Sequence, residues 1–179
     1  MIKIYYLNIV SLIAGLVGGE FLELLKENNI KNCKGVDINN DYITDALKRG
    51  LSVYKNDVIS FLYLTNEKFS GISSFHLIEH LNFAQLFDFL IISFHRLEKG
   101  GVLILETPNV ENIIVSSTTF YYDHTHIQKI PKELLIQVLE FIGFSKITPI
   151  VLHPIKESYK DRSEELLFGA QDLGVIAYK

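Results

Sequence analysis

Glycine and acidic residues follow the apolar segments of this chain in an order that suggests a ligand site. Gly15, Gly18 and Gly19 come after the first apolar segment, Asp37 follows the second, and Asp57 follows the third. Glycines before a helix offer unpaired backbone N–H groups, and a carboxylate after a second parallel strand can accept both hydroxyls of a ribose. A carboxylate after the third strand could accept from an exocyclic amine. Each feature alone could be a turn or a helix cap, but together they indicate a cofactor that contains a nucleoside.

A second group of side chains could transfer protons. Glu79 and His80 follow the fourth apolar segment, and Asp123 and His126 lie in a long polar loop. Histidine titrates near neutrality, which suits removal of a proton from an alcohol. The alternatives are that His80 caps the next helix, that His126 braces the loop, or that these residues bind a divalent cation. A cation needs at least three converging ligands, which spacing does not show, so the sequence assigns no metal site. His76 is expected to be a packed core histidine.

The elements that would position these residues alternate between buried strands and amphipathic helices. Predicted strands cover residues 9–13, 33–38, 51–57, 69–75 and 102–107, and predicted helices cover 20–28, 39–50, 82–97 and 131–144. This alternation predicts an α/β, doubly wound, Rossmann-like fold with a mostly parallel sheet. Residues 107–130 form a long loop at the expected active site. The last two strands, residues 145–153 and 172–179, are predicted to be an antiparallel pair with no helix between them.

Length and composition favour one globular domain over residues 1–179. The chain has 48% hydrophobic and 21% charged residues, which is ordinary for a folded protein. Its net charge of −4 provides no basic surface for nucleic acid. The single cysteine, Cys33, excludes an internal disulfide and a cysteine-based zinc cluster, and a cytoplasmic location is expected.

The N-terminal segment has two interpretations. Lys3, an apolar run and small residues behind it give the outline of a secretory signal. Asn8 and Ser11 interrupt the run, however, and its β-branched residues suit a buried strand, which is the interpretation we prefer. We expect no membrane span elsewhere.

Several motifs together resemble those of class I S-adenosylmethionine-dependent methyltransferases. Within that class the chain is most similar to bacterial methyltransferase domains associated with polysaccharide and lipopolysaccharide O-antigen synthesis. The motifs are "GGEFLELLKEN", "KGVDIN", "KNDVISFL", "HLIEHL", "EKGGVLILETPN", "FYYDHTH" and "LLFGAQDLGVIAYK". The resemblance implies a seven-stranded sheet with an antiparallel last strand, and S-adenosyl-L-methionine as the cofactor.

The resemblance also implies roles for particular residues. Gly15 and Gly19 match glycines of the first turn, beside the methionine part of the cofactor. Asp37 matches the ribose-binding acid, and Ile38 matches an apolar neighbour that contacts adenine. The remaining match is Asp57, which would accept from the adenine amine, with Val58 following it against the ring.

Two positions depart from the motif. The acid that usually ends the first strand is replaced by Ile13, and the middle glycine of the turn is replaced by Val17. Valine adopts positive φ poorly, and its side chain would occupy space near the cofactor. The adenosine side of the expected site therefore looks intact, whereas its methionine side looks impaired.

Three functional hypotheses follow. The first is an enzyme that methylates an oxygen of a sugar, a glycan or a related small acceptor. The second is a non-catalytic methyltransferase-like domain that acts as a binding or regulatory partner. The third, a nicotinamide-dependent dehydrogenase, is disfavoured because "GLVGGE" does not supply G-x-G-x-x-G. For the first, the partner is a small-molecule or glycan acceptor rather than nucleic acid, and a homodimer is a possible assembly.

Overall fold

The described residues form one seven-stranded sheet flanked by helices. The computed structural model describes residues 10–15, 19–30, 32–156 and 158–179. The strands are β1 (Val10–Ala14), β2 (Asn32–Asp37), β3 (Val53–Lys55), β4 (Phe69–Phe75), β5 (Leu97–Pro108), β6 (Ser145–Pro154) and β7 (Ala170–Tyr178). The helices are α1 (Glu20–Glu27), α2 (Asn40–Lys48), α3 (Val58–Leu64), α4 (Phe83–Arg96), α5 (Ile113–Ser117), α6 (Lys132–Ile142) and α7 (Arg162–Phe168). The part of the first predicted strand and of the secretory-signal outline that precedes Val10 lies outside the described residues.

The strand order confirms the predicted fold class. It is β3-β2-β1-β4-β5-β7-β6, and β1 to β5 are parallel where they pair. β7 runs antiparallel to both β5 and β6. The order reverses between β1 and β4, and ligands of open α/β sheets bind in the crevice at such a switch point.

Two hydrophobic clusters hold the helices to opposite faces of this sheet. Successive strand residues point to opposite faces. Leu12 and Ala14 of β1 belong to the larger cluster, whereas Ile13 belongs to the smaller one. Residues of α3, α4 and α6 fill the larger cluster, and residues of α1 and α2 fill the smaller one.

The fourth helix shows how the sequence specifies an element. Asn82 accepts from the backbone N–H of Gln85, and the Gln85 side chain accepts from the backbone N–H of Asn82. This capping box fixes the start of α4. Leu86, Phe89 and Leu90 then recur at helical spacing and are fully or almost fully buried.

The structure differs from the predicted layout in three places. Helix α7 lies between the last two strands, although no helix was expected there, and α3 follows β3. The loop at residues 107–130 is not irregular throughout, since it contains α5 and a 3₁₀ turn at Thr119–Tyr122. Strand β5 begins at Leu97, because irregular pairing with Phe69 extends it through the predicted turn. Within the described residues, no helix is long and apolar enough to cross a membrane.

Candidate functional site

The turn after β1 has the backbone conformation that requires glycine. Gly15 has φ +81° and donates its N–H to the carbonyl of Val36, 3.1 Å away. Gly19 has φ +79° and stands at the N-terminus of α1. Both positions are in the left-handed region that residues with a Cβ adopt at a cost. Val17 lies in the segment 16–18, outside the described residues.

Ile13 has a structural role where an acid was expected. It is 2% exposed and packs with Leu22, Ile43 and Leu51 in the smaller cluster, and it also forms part of the cavity wall described below. At this position the usual acid is therefore replaced by an apolar residue that is packed in the core. It is not an exposed residue that could be exchanged freely.

The predicted ribose-binding acid lies at the carboxyl end of β2. The Asp37 carboxylate accepts from the backbone N–H of Asn39, with an oxygen–nitrogen distance of 2.6 Å. This contact holds the side chain at the strand end, where it is half-buried. Ile38, the next residue, is 72% exposed, so an apolar surface stands beside the carboxylate.

The second predicted acid lies at the neighbouring strand end. Asp57 caps α3 by accepting from the backbone N–H of Ser60 at 2.9 Å. β2 and β3 are parallel, and the backbone N–H of Asn56 donates to the Asp37 carbonyl at 3.0 Å. The two carboxylates therefore emerge at the same edge of the sheet. Val58 is 5% exposed, and its side chain packs in the larger cluster.

A cavity of about 740 Å³ opens at the carboxyl ends of β1, β4 and β5. This size is within the range of small-molecule and cofactor sites. Its lining includes Ile13, Gly15, Gly19, Phe21, Phe75, His76, Glu106 and His153. The predicted glycines therefore line the cavity, whereas Asp37 and Asp57 stand outside its lining at the next strand ends.

One wall of this cavity holds His76, Glu106 and His153, and Asp172 contacts both histidines from outside the cavity lining. His76 directly follows β4, and its Nε2 atom lies 3.4 Å from Oε1 of Glu106 and 3.9 Å from Oδ1 of Asp172. His153 Nδ1 lies 2.9 Å from the other oxygen of Asp172. His76 and His153 both have positive φ, at 47° and 50°. Such strained conformations cluster at functional sites.

Glu79 lies in the interior of the protein and contacts His76 of this wall. Its side chain is 0% exposed, and its Oε1 atom accepts from His76 Nδ1 at 3.1 Å. The other oxygen accepts from the hydroxyl of Thr107 at 3.1 Å. The hydrogen bond from His76 to Glu79 is the main reason why the pKa of His76 is raised.

The predicted catalytic residues converge behind the cavity wall. The rings of His80 and His126 are 4.7 Å apart, and His126 Nε2 lies 3.9 Å from Oε1 of Glu79. Asp123 accepts from the hydroxyl and the backbone N–H of Thr125, which lowers the pKa of Asp123. None of the four predicted residues, all of which the structure describes, is part of the cavity lining. Their catalytic role stays a prediction.

Sequence reasoning missed the residues on the cavity wall. His76 was expected to be packed in the core, but 37% of its side chain is exposed and it faces the cavity. Glu106, His153 and Asp172 were not singled out. Alternation along β5 and β7 could have suggested polar residues at the strand ends, but sequence spacing does not show that two antiparallel strands bring Glu106 and Asp172 to the same histidine.

The reversed seventh strand and the glycine turn beneath a cavity define the fold of class I S-adenosylmethionine-dependent methyltransferases. A family model described as a methyltransferase domain matches residues 15–148. The chain belongs to this methyltransferase domain family and is therefore an enzyme of the transferase class, as predicted. No curated protein matches the sequence at a significant level.

Solved structures agree with this assignment. A SAM-dependent methyltransferase from Archaeoglobus fulgidus is 30% identical with a TM-score of 0.83, over 94% of this chain and 85% of that one. A possible histamine N-methyltransferase from Thermotoga maritima is 20% identical with a TM-score of 0.68, over 94% and 81%. The N-methyltransferase NodS from Bradyrhizobium japonicum, in complex with S-adenosyl-l-homocysteine, is 17% identical with a TM-score of 0.65, over 94% and 76%. The last two likenesses show the fold alone.

Proposed function

We propose that this enzyme transfers a methyl group from S-adenosyl-L-methionine to a hydroxyl oxygen of a sugar, a glycan precursor or a similar polyhydroxylated acceptor. The observation that carries the proposal is the pair of His76 and Glu106 on the cavity wall beside the glycine turn, with Asp172 close to the same histidine. The resemblance to polysaccharide-associated methyltransferase domains supports the same acceptor class.

The donor side of the site fits the cofactor of this family. When bound, S-adenosyl-L-methionine would supply an electrophilic methyl group for one in-line displacement, with S-adenosylhomocysteine as the neutral leaving group. Gly15 and Gly19 allow close approach of the backbone at the carboxyl end of β1. Asp37 would accept from the ribose hydroxyls and Asp57 from the adenine amine, with Ile38 and Val58 next to the ring. Cavity size, positive-φ glycines and carboxylates at adjacent strand ends agree with such a ligand.

The acceptor side favours groups that donate hydrogen bonds. Three carboxylates, Glu79, Glu106 and Asp172, surround His76 on this wall or directly behind it. A hydroxyl could donate to Glu106, which would take its proton as the oxygen forms its bond to the methyl carbon. His76 would hold Glu106 in position, since its Nε2 atom is 3.4 Å from that carboxylate.

The same charges disfavour an anionic acceptor. A phosphate or carboxylate at this wall would face two or more negative groups at short range, and like charges repel strongly in a partly enclosed site. A neutral polyol carries no charge and is therefore not repelled by these groups. An amine could also bind to these carboxylates, so the choice between oxygen and nitrogen is part of the test.

The proposal is tested by incubating the enzyme with methyl-labelled S-adenosyl-L-methionine and matched acceptors. The acceptors are a panel of neutral sugars, the corresponding amino sugars and the corresponding sugar phosphates. We expect label to enter the hydroxyl groups of neutral sugars. Transfer confined to phosphates or to amines would overturn the assignment.

Substitution of one acid identifies the proton acceptor. Glu106→Gln should lower kcat by about 100-fold or more, because general-base contributions are of that order. Glu98→Gln is the matched control, since Glu98 is an exposed acid at the other end of the same strand. Binding of S-adenosylhomocysteine, measured by calorimetry, should change by less than about threefold in both. Equal kcat for the two variants would contradict the role of Glu106.

A further inference from the structure

The group behind the cavity wall has the composition of a metal site. Glu79, His80 and His126 each offer one ligating atom, and the three atoms lie within 4.8 Å of one another. Glu79 and His80 belong to the 3₁₀ turn Ile78–His80 that connects β4 to α4. His126 belongs to the loop that precedes α6, so the three residues come from two separate segments.

The proton positions on His80 follow from its partner. Thr125 donates its only hydroxyl hydrogen to Oδ1 of Asp123 at 2.6 Å. The same Thr125 oxygen is 2.9 Å from Nδ1 of His80, so it must accept there, and Nδ1 must carry the hydrogen. Nε2 of a neutral His80 is therefore left with a lone pair.

The same reasoning applies to His126. Its Nδ1 atom is 2.8 Å from the backbone carbonyl of Phe120, which can only accept. Nδ1 must therefore donate, and Nε2 again carries the lone pair. That Nε2 atom lies 3.9 Å from Oε1 of Glu79. A hydrogen bond on one ring nitrogen that orients the other is the usual arrangement around metal-binding histidines.

Glu79 is oriented in the same way. Thr107 and His76 donate to its two oxygens at 3.1 Å each, and a carboxylate has no hydrogen of its own to offer. With neutral rings, each imidazole therefore keeps a lone pair on Nε2, and each ring has a nitrogen within 4.8 Å of the ligating oxygen of the buried carboxylate. This is an unfavourable arrangement unless a positive charge lies between them.

We propose that Glu79, His80 and His126 bind a divalent transition metal of the zinc type. Two imidazoles and one carboxylate, with a fourth position left for water, form a known zinc ligand set. Metal–ligand bonds of about 2.0–2.2 Å place ligating atoms about 3.3 Å apart in a tetrahedral site. The 3.9 Å separation between Glu79 and His126 would contract by about 0.6 Å on binding.

The metal would fasten the loop to the sheet. Two backbone N–H groups, from Ile127 and Gln128, already donate to the Glu79 carbonyl at 3.0 and 3.1 Å. A metal bound by His126 would add a side-chain connection across the same junction. The proposal concerns this junction and does not depend on the identity of the methyl donor or acceptor.

Metal binding is measured on tag-free, chelator-treated protein. Calorimetry with ZnSO₄ and visible absorption with CoCl₂ are each carried out in a buffer that does not bind metals. We expect binding of one ion with an increase in melting temperature, together with the visible bands of four-coordinate cobalt. Heat and absorption at the level of buffer alone would overturn the proposal.

Matched histidine variants locate the site. His126→Gln and His80→Gln should each weaken zinc binding by more than about tenfold, whereas His124→Gln, an exposed histidine in the same loop, should not. If His126→Gln does not fold, His80→Gln still tests the site. A second group, His76 with Glu106 and Asp172, also has metal-binding geometry. Loss of binding in His76→Gln with retention in His80→Gln and His126→Gln would place the ion there and refute our assignment.

Discussion

Replacing Asp37 by alanine tests the donor side of the site. The carboxylate is held at the end of β2 by the backbone N–H of Asn39, 2.6 Å away, and is proposed to accept from the ribose hydroxyls. A hydrogen bond to a charged group contributes about 1.5–3 kcal/mol. Since about 1.4 kcal/mol corresponds to a factor of ten, Asp37→Ala should weaken binding of S-adenosylhomocysteine by about 10- to 100-fold.

The assay must separate binding from folding. The variant also loses the Asn39 contact, which is a hydrogen bond to the same charged carboxylate, and this loss should lower the free energy of unfolding by up to about 1.5–3 kcal/mol. Urea denaturation therefore accompanies calorimetry at a temperature where both proteins are folded. Asp41→Ala is the matched control, because Asp41 is an exposed acid in the first turn of α2 and has no proposed role in binding.

A dissociation constant within threefold of the unmodified protein for Asp37→Ala would refute the reasoning. So would equal weakening in Asp37→Ala and Asp41→Ala, since that pattern would indicate a general effect of charge. Failure of the unmodified protein to bind would instead show that the donor site is impaired, as Ile13 and Val17 suggested from the sequence.

Three further predictions concern stability and reactivity. Gly19→Ala should be more destabilising in urea than Gly100→Ala. Both carry a cost of about 1 kcal/mol for positive φ. Of the two, only Gly19 would place the new Cβ 2.5 Å from the Arg49 guanidinium, which must then shift from its position beside Glu23; equal values would contradict this. Burial raises the pKa of the Cys33 thiol, so at pH 8 an aromatic disulfide reagent should react more slowly with folded than with urea-unfolded protein. Equal rates would show that the thiol is accessible. Leu90→Ala should cost about 2–5 kcal/mol of unfolding free energy, because Leu90 is 0% exposed in the larger cluster; a loss below about 1 kcal/mol would contradict its place in the core.

Elements with strong local signals were predictable from the sequence. The predicted strand 69–75 has the observed limits, and the helix predicted over residues 82–97 is observed as α4 (Phe83–Arg96). Short helices were missed because α3 and α7 each span only seven residues, too few to establish a hydrophobic period. The missed start of β5 depends on pairing with β4, which is a tertiary property.

The candidate site was predictable only in part. The glycine positions and the order of the acids follow from a local strand–turn–helix pattern. The convergence of Glu79 with His126 does not, because the two residues are far apart in sequence and are brought together by the path of a loop. His76 was misassigned because its left-handed backbone, which turns its ring towards the cavity, leaves no signal in hydrophobic periodicity.

The outer strands of the sheet limit how two copies of the chain could associate. At one border β3 has only three residues. At the other, β6 contains Pro149 and Pro154, and its pairing slips between Ser145 and Thr148. Short, proline-bearing and irregular borders are poor templates for strand addition. Among the described residues, edge-to-edge assembly through these borders is therefore disfavoured, and a dimer formed by this part of the chain would use helical or loop surfaces.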